Sequence, residues 1–247
     1  MKPRKYQAMK VRINKFLAES GIASRRKSEE FILQGRVSVN NQVVSDLSLM
    51  VDADKDDIFF DGEKVKPKKN IYILLNKPKG YISSTDDERN RKTVLDIVNS
   101  RERIFPVGRL DYNTTGVLFL TNDGDFSQLL THPKNKVPRE YEVKLDKPLE
   151  DRDKEKLLSG IYLEGKKGKF LNIKNLKSKD QKNFLVACEE GRNHFIKKMF
   201  EKLGYSVVNL NRSGFAGIKA DVPVGSFRNL NKEEVKKLFS TYSKNKN

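Results

Sequence analysis

Cysteine occurs once in the 247 residues, at Cys188, and histidine twice, at His132 and His194. A single thiol rules out an intramolecular disulfide, and two imidazoles far apart in sequence are too few to build a His/Cys metal centre. Neither a GxxxxGK[ST] loop nor a GxGxxG turn after a strand is found, so no cradle for a nucleotide cofactor is visible. No segment approaches the roughly 18 consecutive apolar residues of a membrane-spanning helix, and no basic amphipathic helix dominates. The opening "MKPRKYQAMK" has no apolar core of a secretory signal. The expectation is a cytoplasmic protein with no membrane partner, no metal and no cofactor, whose chemistry rests on side chains alone.

Positive charge is plentiful: fifty Lys and Arg stand against thirty-three Asp and Glu, a formal charge of +17, and 36% of the residues are hydrophobic. The chain is apolar enough to bury a core, and its charge exceeds what solubility needs. A polyanion, nucleic acid first, is the expected partner.

The length suits two small domains. From Val11, "VRINKFLAES" sets Ile13, Phe16 and Leu17 on one helical face, and Gly21 fits the left-handed position that ends a helix. Ser24 caps a second helix, "SRRKSEEFILQG", closed by Gly35, and the alternating "RVSVNNQVV" turns at Asn40-Asn41. Acidic "VDADKDDIFFDGEKV" and polar "KPKKN" then place a domain boundary near residue 68. Beyond it, strands at 71–75, 117–121, 140–145, 184–189 and 205–210 are interleaved with helices near 92–99, 125–131, 150–159, 193–203 and 231–242. Asn231 and Glu234 form a capping box for the last helix. The strands do not repeat as βαβ units, so the fold class is α+β. The reading is a helical and hairpin domain with its linker over 1–68, a larger domain over 69–242 and a frayed tail over 243–247.

Within the first fifty residues, ten Lys and Arg face four acids. Arg12, Lys15, Arg25, Arg26, Lys27 and Arg36 fall at the helix starts and the strand entry, where they suit phosphate contacts that position RNA without reading its bases. The stretch "INKFLAESGIASRRKSEEFILQGRVSVNNQVV" resembles the alpha-L RNA-binding domain of bacterial ribosomal protein family four. A solvated basic face is the plainer account of the same charges.

In "GRLDYNTTGVLFLTNDG", Gly108 and Gly116 bracket a polar loop before an apolar run, Val117 to Leu120, that reads as a strand buried on both faces. Asp111 stands at the mouth of that strand, where desolvation and a neighbouring cation set its reactivity, and Thr114 and Thr115 can hydrogen-bond the loop. Taken alone, an Asp satisfied by turn amides is the simpler reading. The segment nevertheless resembles the signature of RsuA/RluB-type pseudouridine synthases, G-R-L-D-x-x-[TS]-x-G followed by an apolar strand. The resemblance continues, in the family's order, through "YILLNKPKGYISS" (72–84), "HPKNKVPREYEV" (132–143) and "EEGRNHFIKKMFEKLGYSVVNLNR" (189–212).

This resemblance implies a mixed, mainly antiparallel sheet and a cofactor-independent isomerisation: uracil leaves its ribose, turns and rejoins through a carbon–carbon bond. It implies that Asp111 is the essential carboxylate, either a nucleophile at the anomeric carbon or a base leading to a glycal, kept ionised by a nearby cation. The family's arginine for that purpose aligns with Lys197, a departure, because an ammonium neutralises charge without the bidentate fork of a guanidinium. Phe195 stands where the family has a glutamine, at the edge of the base pocket. Tyr141 matches the tyrosine that stacks on the base, and Leu210 the apolar residue that closes the pocket. Ile196, Met199, Phe200 and Leu203 recur at helical spacing as core, with Lys197 off that stripe.

Lys77, Lys79, Arg139, Arg192 and Arg212 read together as a phosphate-binding groove, and Arg109 either supports the loop or meets a backbone phosphate. His132, His194 and Cys188 are given no chemical part. The expected partner is ribosomal RNA or an assembling ribosomal particle, met by a monomer. "RKTVLDIV", "RIFPVGRLDYNTTG" and "PREYEV" look closer to the RluB large-subunit branch than to the small-subunit branch. A small-subunit enzyme and a non-catalytic RNA-binding or ribosome-assembly protein stay open, and no acidic cluster in the motifs favours a metal-dependent nuclease.

Overall fold

The computed structural model describes residues 10–176 and 181–243. The start of the chain and the expected tail beyond Ser243 lie outside the described residues. The chain forms two compact units, one up to Asn70 and the other from Ile71.

In the first unit, helices Ile13–Glu19 and Arg25–Leu33 bury Ile13, Leu17 and Ile32 against Val37, Val51 and Ile58. The Ser24 side chain accepts the Lys27 N–H, so the second helix starts where its cap dictates. Asn40 and Asn41 turn the hairpin at φ +51° and +68°, a region that Asn enters more readily than other side-chain-bearing residues. Four antiparallel strands lie in the order Gln42–Val43, Val37–Val39, Ile58–Phe60, Glu63–Lys64. The acidic stretch expected as an interruption therefore contains a strand. Its aspartates lie between strands and Glu63 sits on the exposed strand Glu63–Lys64, while Ile58 is buried in the core.

The second unit is built on one mixed sheet. Strands Asn172–Asn175, Asn183–Cys188, Arg139–Leu145, Val207–Phe215, Thr115–Thr121, Tyr72–Lys77 and Phe227–Asn229 lie side by side in that order. Neighbours are antiparallel except Val207–Phe215 beside Thr115–Thr121, which run parallel. Side chains of a strand alternate between faces, and here each face meets helices. Leu118 and Leu120 join Val94, Leu157, Met199 and Phe200 in one core, while Val117 and Phe119 join Phe126, Leu130 and Leu238 in the other. That is why Val117 to Leu120 read as an unbroken apolar run: all four have no solvent exposure.

At Thr115-Gly116 the loop becomes a strand beside Asn211-Arg212. A Cβ on Gly116 would lie 2.2 Å from the Arg212 carbonyl oxygen, and the residue has φ +110°. Only glycine allows the two backbones to approach so closely. The hairpin Ile161–Leu163 with Lys166–Gly168 and the edge strands Asn172–Asn175 and Phe227–Asn229 are not among the strands that the residue pattern predicts. All are at most four residues long and, apart from Ile161–Leu163, mostly polar, so they carry little apolar periodicity. Among the described residues no helix is long and apolar enough to cross a membrane.

Candidate active site

The backbone on both sides of Asp111 is held from below. Lys77 ends the Tyr72–Lys77 strand with no solvent exposure, and its Nζ donates to the carbonyls of Asp111 (3.0 Å), Thr114 (3.0 Å) and Pro78 (3.1 Å). Three acceptors match the three N–H bonds of an ammonium. Burial pulls the Lys77 pKa down to about 8, against the upward pull of the Asp111 charge. Ser83 Oγ donates to the Leu110 carbonyl (3.0 Å) and lies 3.1 Å from the Leu110 N–H that it accepts. The two threonines act differently from the expectation. Thr115 Oγ1 bonds Asn211 Oδ1 across the strands at 2.9 Å, and Thr114 Oγ1 is buried with no partner among the described residues.

The Asp111 carboxylate meets two cation-capable side chains from one helix start. Lys197 Nζ donates to Oδ2 at 2.6 Å, and His194 Nε2 lies 3.2 Å from Oδ1. Ile196, Met199 and Phe200 of helix Phe195–Glu201 face the core, which leaves Lys197 to point at Asp111. His194 precedes this helix at φ +54°, three residues before Lys197, so both reach the same carboxylate. Sequence reasoning passed over His194. Its spacing from Lys197 was the available signal.

Asp111 borders a cavity of about 140 Å³ whose lining includes Tyr141, Leu210, Phe195, Arg139 and Arg212. Tyr141 and Arg139 share one face of the Arg139–Leu145 strand, and Leu210 and Arg212 one face of Val207–Phe215. Burial pushes the Tyr141 phenol pKa up, with the Arg212 charge opposing it. Phe195 both lines the cavity and packs edge-on against Phe170, with ring centroids 5.8 Å apart.

The expected phosphate groove needs correction. Lys77, Arg139 and Arg212 are buried, so none is a surface contact for a backbone phosphate. Arg139 donates to the carbonyls of Val137 and Glu189, and Arg212 Nε to that of Val117. Arg192 is half-buried, paired with Glu190, and also donates to the carbonyls of Leu163 and Lys166. Of that set, Lys79 remains exposed, as does Arg109. Period-two alternation would have exposed the error: Arg139 is two residues from Tyr141, Arg212 two from Leu210, and Lys77 two from Leu75. In the first unit, Arg12, Arg25 and Arg26 are exposed. Arg36 is instead bound to Asp61 and lies over the rings of Phe31 and Phe60. Lys27 pairs with Glu30, and Lys15 with Glu19.

The model for RNA pseudouridylate synthases matches residues 71–202, and that for the S4 domain residues 11–58. The chain belongs to the RNA pseudouridylate synthase family. It is 40% identical over 235 residues to an uncharacterized RNA pseudouridine synthase of Aquifex aeolicus, covering 94% of each chain. It is also 40% identical over 243 residues to ribosomal large subunit pseudouridine synthase B of Bacillus subtilis, covering 96% of this chain and 98% of that one. A crystal structure of a pseudouridylate synthase superposes with a TM-score of 0.66 at 32% identity, over 92% of this chain and 99% of that one. The region matched to the pseudouridylate synthase family includes Lys77, Asp111, Tyr141 and Lys197, whereas Leu210 and Arg212 lie beyond its last matched residue.

Proposed function

We propose that the protein converts uridine to pseudouridine in ribosomal RNA of the large subunit, with Asp111 as the carboxylate that engages the ribose. The observation that carries the residue assignment is the Asp111 carboxylate fixed 2.6 Å from Lys197 at the edge of a cavity that Tyr141 and Leu210 also line. A target uridine leaves its stack and places its base in that cavity, its ribose against Asp111. Asp111 attacks C1′ or removes the C2′ proton, and the C1′–N1 bond breaks. The base turns between Leu210 and Tyr141, C5 bonds to C1′, and the C5 proton leaves, with the Tyr141 hydroxyl as the nearby relay. Lys197 neutralises the carboxylate, and the anchored loop keeps it aimed, so little reorganisation precedes reaction.

Large-subunit RNA is supported by the identity to a relative named for that subunit. Arg12, Arg25 and Arg26 of the first unit supply contacts to phosphates. Mapping pseudouridine at single-nucleotide resolution in ribosomal RNA from cells with and without the protein tests the reading. A site present only with the protein, and missing with Asp111→Asn while RNA affinity stays within a few-fold, is the expected result. Wild-type protein that leaves every uridine of naked and particle-bound RNA unchanged would mark a non-catalytic RNA-binding module instead.

A further inference from the structure

Two buried guanidiniums reach the cavity without a carboxylate to match them. Asp111 is engaged by Lys197 and His194, and Glu190 by Arg192. Arg139 and Arg212 are 7% and 2% exposed, and no carboxylate pairs with either among the described residues. Both stack over one ring, that of Phe215, at 5.1 and 4.7 Å from its centroid. Like charges so close in a low-dielectric setting repel, so the bare site holds a positive excess.

Arg212 adds a second observation. Its Nε is satisfied by the Val117 carbonyl at 2.7 Å, but one terminal nitrogen is buried without a hydrogen-bond partner. A buried N–H of a cation is costly to leave unpaired, and most such groups in folded proteins are satisfied. Thr114 Oγ1, also at the cavity and also unpartnered, is a second free polar atom beside Asp111. Both side chains line the cavity and each holds a buried polar atom without a protein partner, an atom that a ligand seated there can supply with an oxygen. Phosphates are met more cheaply by exposed Arg109 and Lys79 than by a group with almost no access to water. The acceptor inside the cavity is therefore a nucleobase oxygen.

We propose that Arg212 is a catalytic residue whose free N–H binds a carbonyl oxygen of the target uracil and takes up the negative charge of the detached base. The inference rests on the pseudouridine reading. When the C1′–N1 bond breaks, its electron pair stays on the base, whether Asp111 attacks C1′ or removes the C2′ proton. The detached uracil is then an anion, its charge shared among N1 and the carbonyl oxygens. A guanidinium already in place, with no carboxylate to satisfy it, stabilises that anion more than the neutral base of the bound substrate. The step balances when C5 bonds to C1′ as the Asp111–C1′ bond breaks, or, on the other route, as C2′ regains its proton from Asp111; the C5 proton departs and N1 gains a proton.

The test is single-turnover release of tritium from ribosomal RNA transcripts labelled at uridine C5, with RNA affinity measured in parallel. Arg212→Gln is expected to slow release about 100-fold or more with affinity kept within threefold, because the loss of one preorganised donor to a developing anion has about that effect. Arg212→Lys is expected to recover at least tenfold of the loss, which a purely structural role would not give. Release by Arg212→Gln within threefold of wild type overturns the inference and leaves the functional reading standing. Should both variants fail to fold by circular dichroism, wild-type protein is assayed on transcripts carrying 2-thiouridine or 4-thiouridine at the modified position. A tenfold slowing by one of the two sulfurs supports the contact, and equal rates for all three bases overturn it. Wild-type protein that releases no tritium from any ribosomal RNA overturns the functional reading and this inference together.

Discussion

Lys197 and His194 hold opposite oxygens of one carboxylate, yet they are not equivalent. The lysine contact is short and made by a side chain two-thirds buried, whereas the His194 side chain is half exposed and its contact is longer and open to solvent. Lys197→Arg should keep activity or raise it, and Lys197→Met should remove at least 99% of the single-turnover rate. His194→Gln should cost no more than about tenfold. Equal rates for Lys197→Met and wild type would show that another cation serves Asp111. Lys77 gives a pH signature of a different kind. Its native pKa of about 8 lies below the ordinary 10.5, so between these values the unfolded chain binds the proton and the native chain does not. Unfolding free energy due to this group therefore rises from about pH 8 to pH 10.5 and is flat below pH 8. Urea midpoints of wild type and Lys77→Met, compared from pH 7 to 10, should shift in favour of wild type as pH rises. A constant difference would mean that Lys77 stays charged. At this scale the sequence motif was enough to bring Asp111, Tyr141, Lys197 and Leu210 to one cavity. It does not report which arginines are buried, because charge ordinarily marks exposure and here strand alternation places the side chain inward.

Elements with strong periodicity were readable, since burial of an apolar face and the period of the backbone say the same thing. Ser24 and Asn231 fixed their helix starts through their caps, and the Val117 to Leu120 run announced a strand covered on both sides. Pairing between strands was not readable, because partners far apart in sequence are chosen by the whole sheet. The parallel contact of Thr115-Gly116 with Asn211-Arg212 is the consequential one, joining the Asp111 loop to the strand that carries Leu210 and Arg212. Gly116→Ala tests it. The new methyl would meet backbone that has no side-chain torsion to relax, in a conformation that itself costs about 1–3 kcal/mol. Destabilisation of about 3 kcal/mol or more by urea titration is expected, together with loss of turnover. A cost below about 1 kcal/mol would show that the strands part easily and that the loop does not depend on them.

Across the whole molecule the charge is spread more evenly than the first fifty residues suggest. Fifteen Lys and Arg face ten acids up to Asn70, and thirty-five face twenty-three beyond it, because the acidic stretch from Asp52 to Glu63 offsets the basic helices before it. Each unit has a hydrophobic core of its own, so exposed side chains of the first can be changed without disturbing the core of the second. Affinity that comes from phosphate contacts falls with salt, the slope of log K against log salt being about 0.7 per contact on single strands. Arg12, Arg25 and Arg26 are exposed and belong to the unit up to Asn70, whereas the described residues that line the Asp111 cavity belong to the unit from Ile71. Changing all three to Gln should reduce that slope by about 2, measured by filter binding of ribosomal RNA fragments between 50 and 200 mM salt. The single-turnover rate at saturating RNA should stay within twofold, since the reacting groups are untouched. A slope that does not change would shift the phosphate contacts to the second unit, where Arg109 and Lys79 are the first residues to replace.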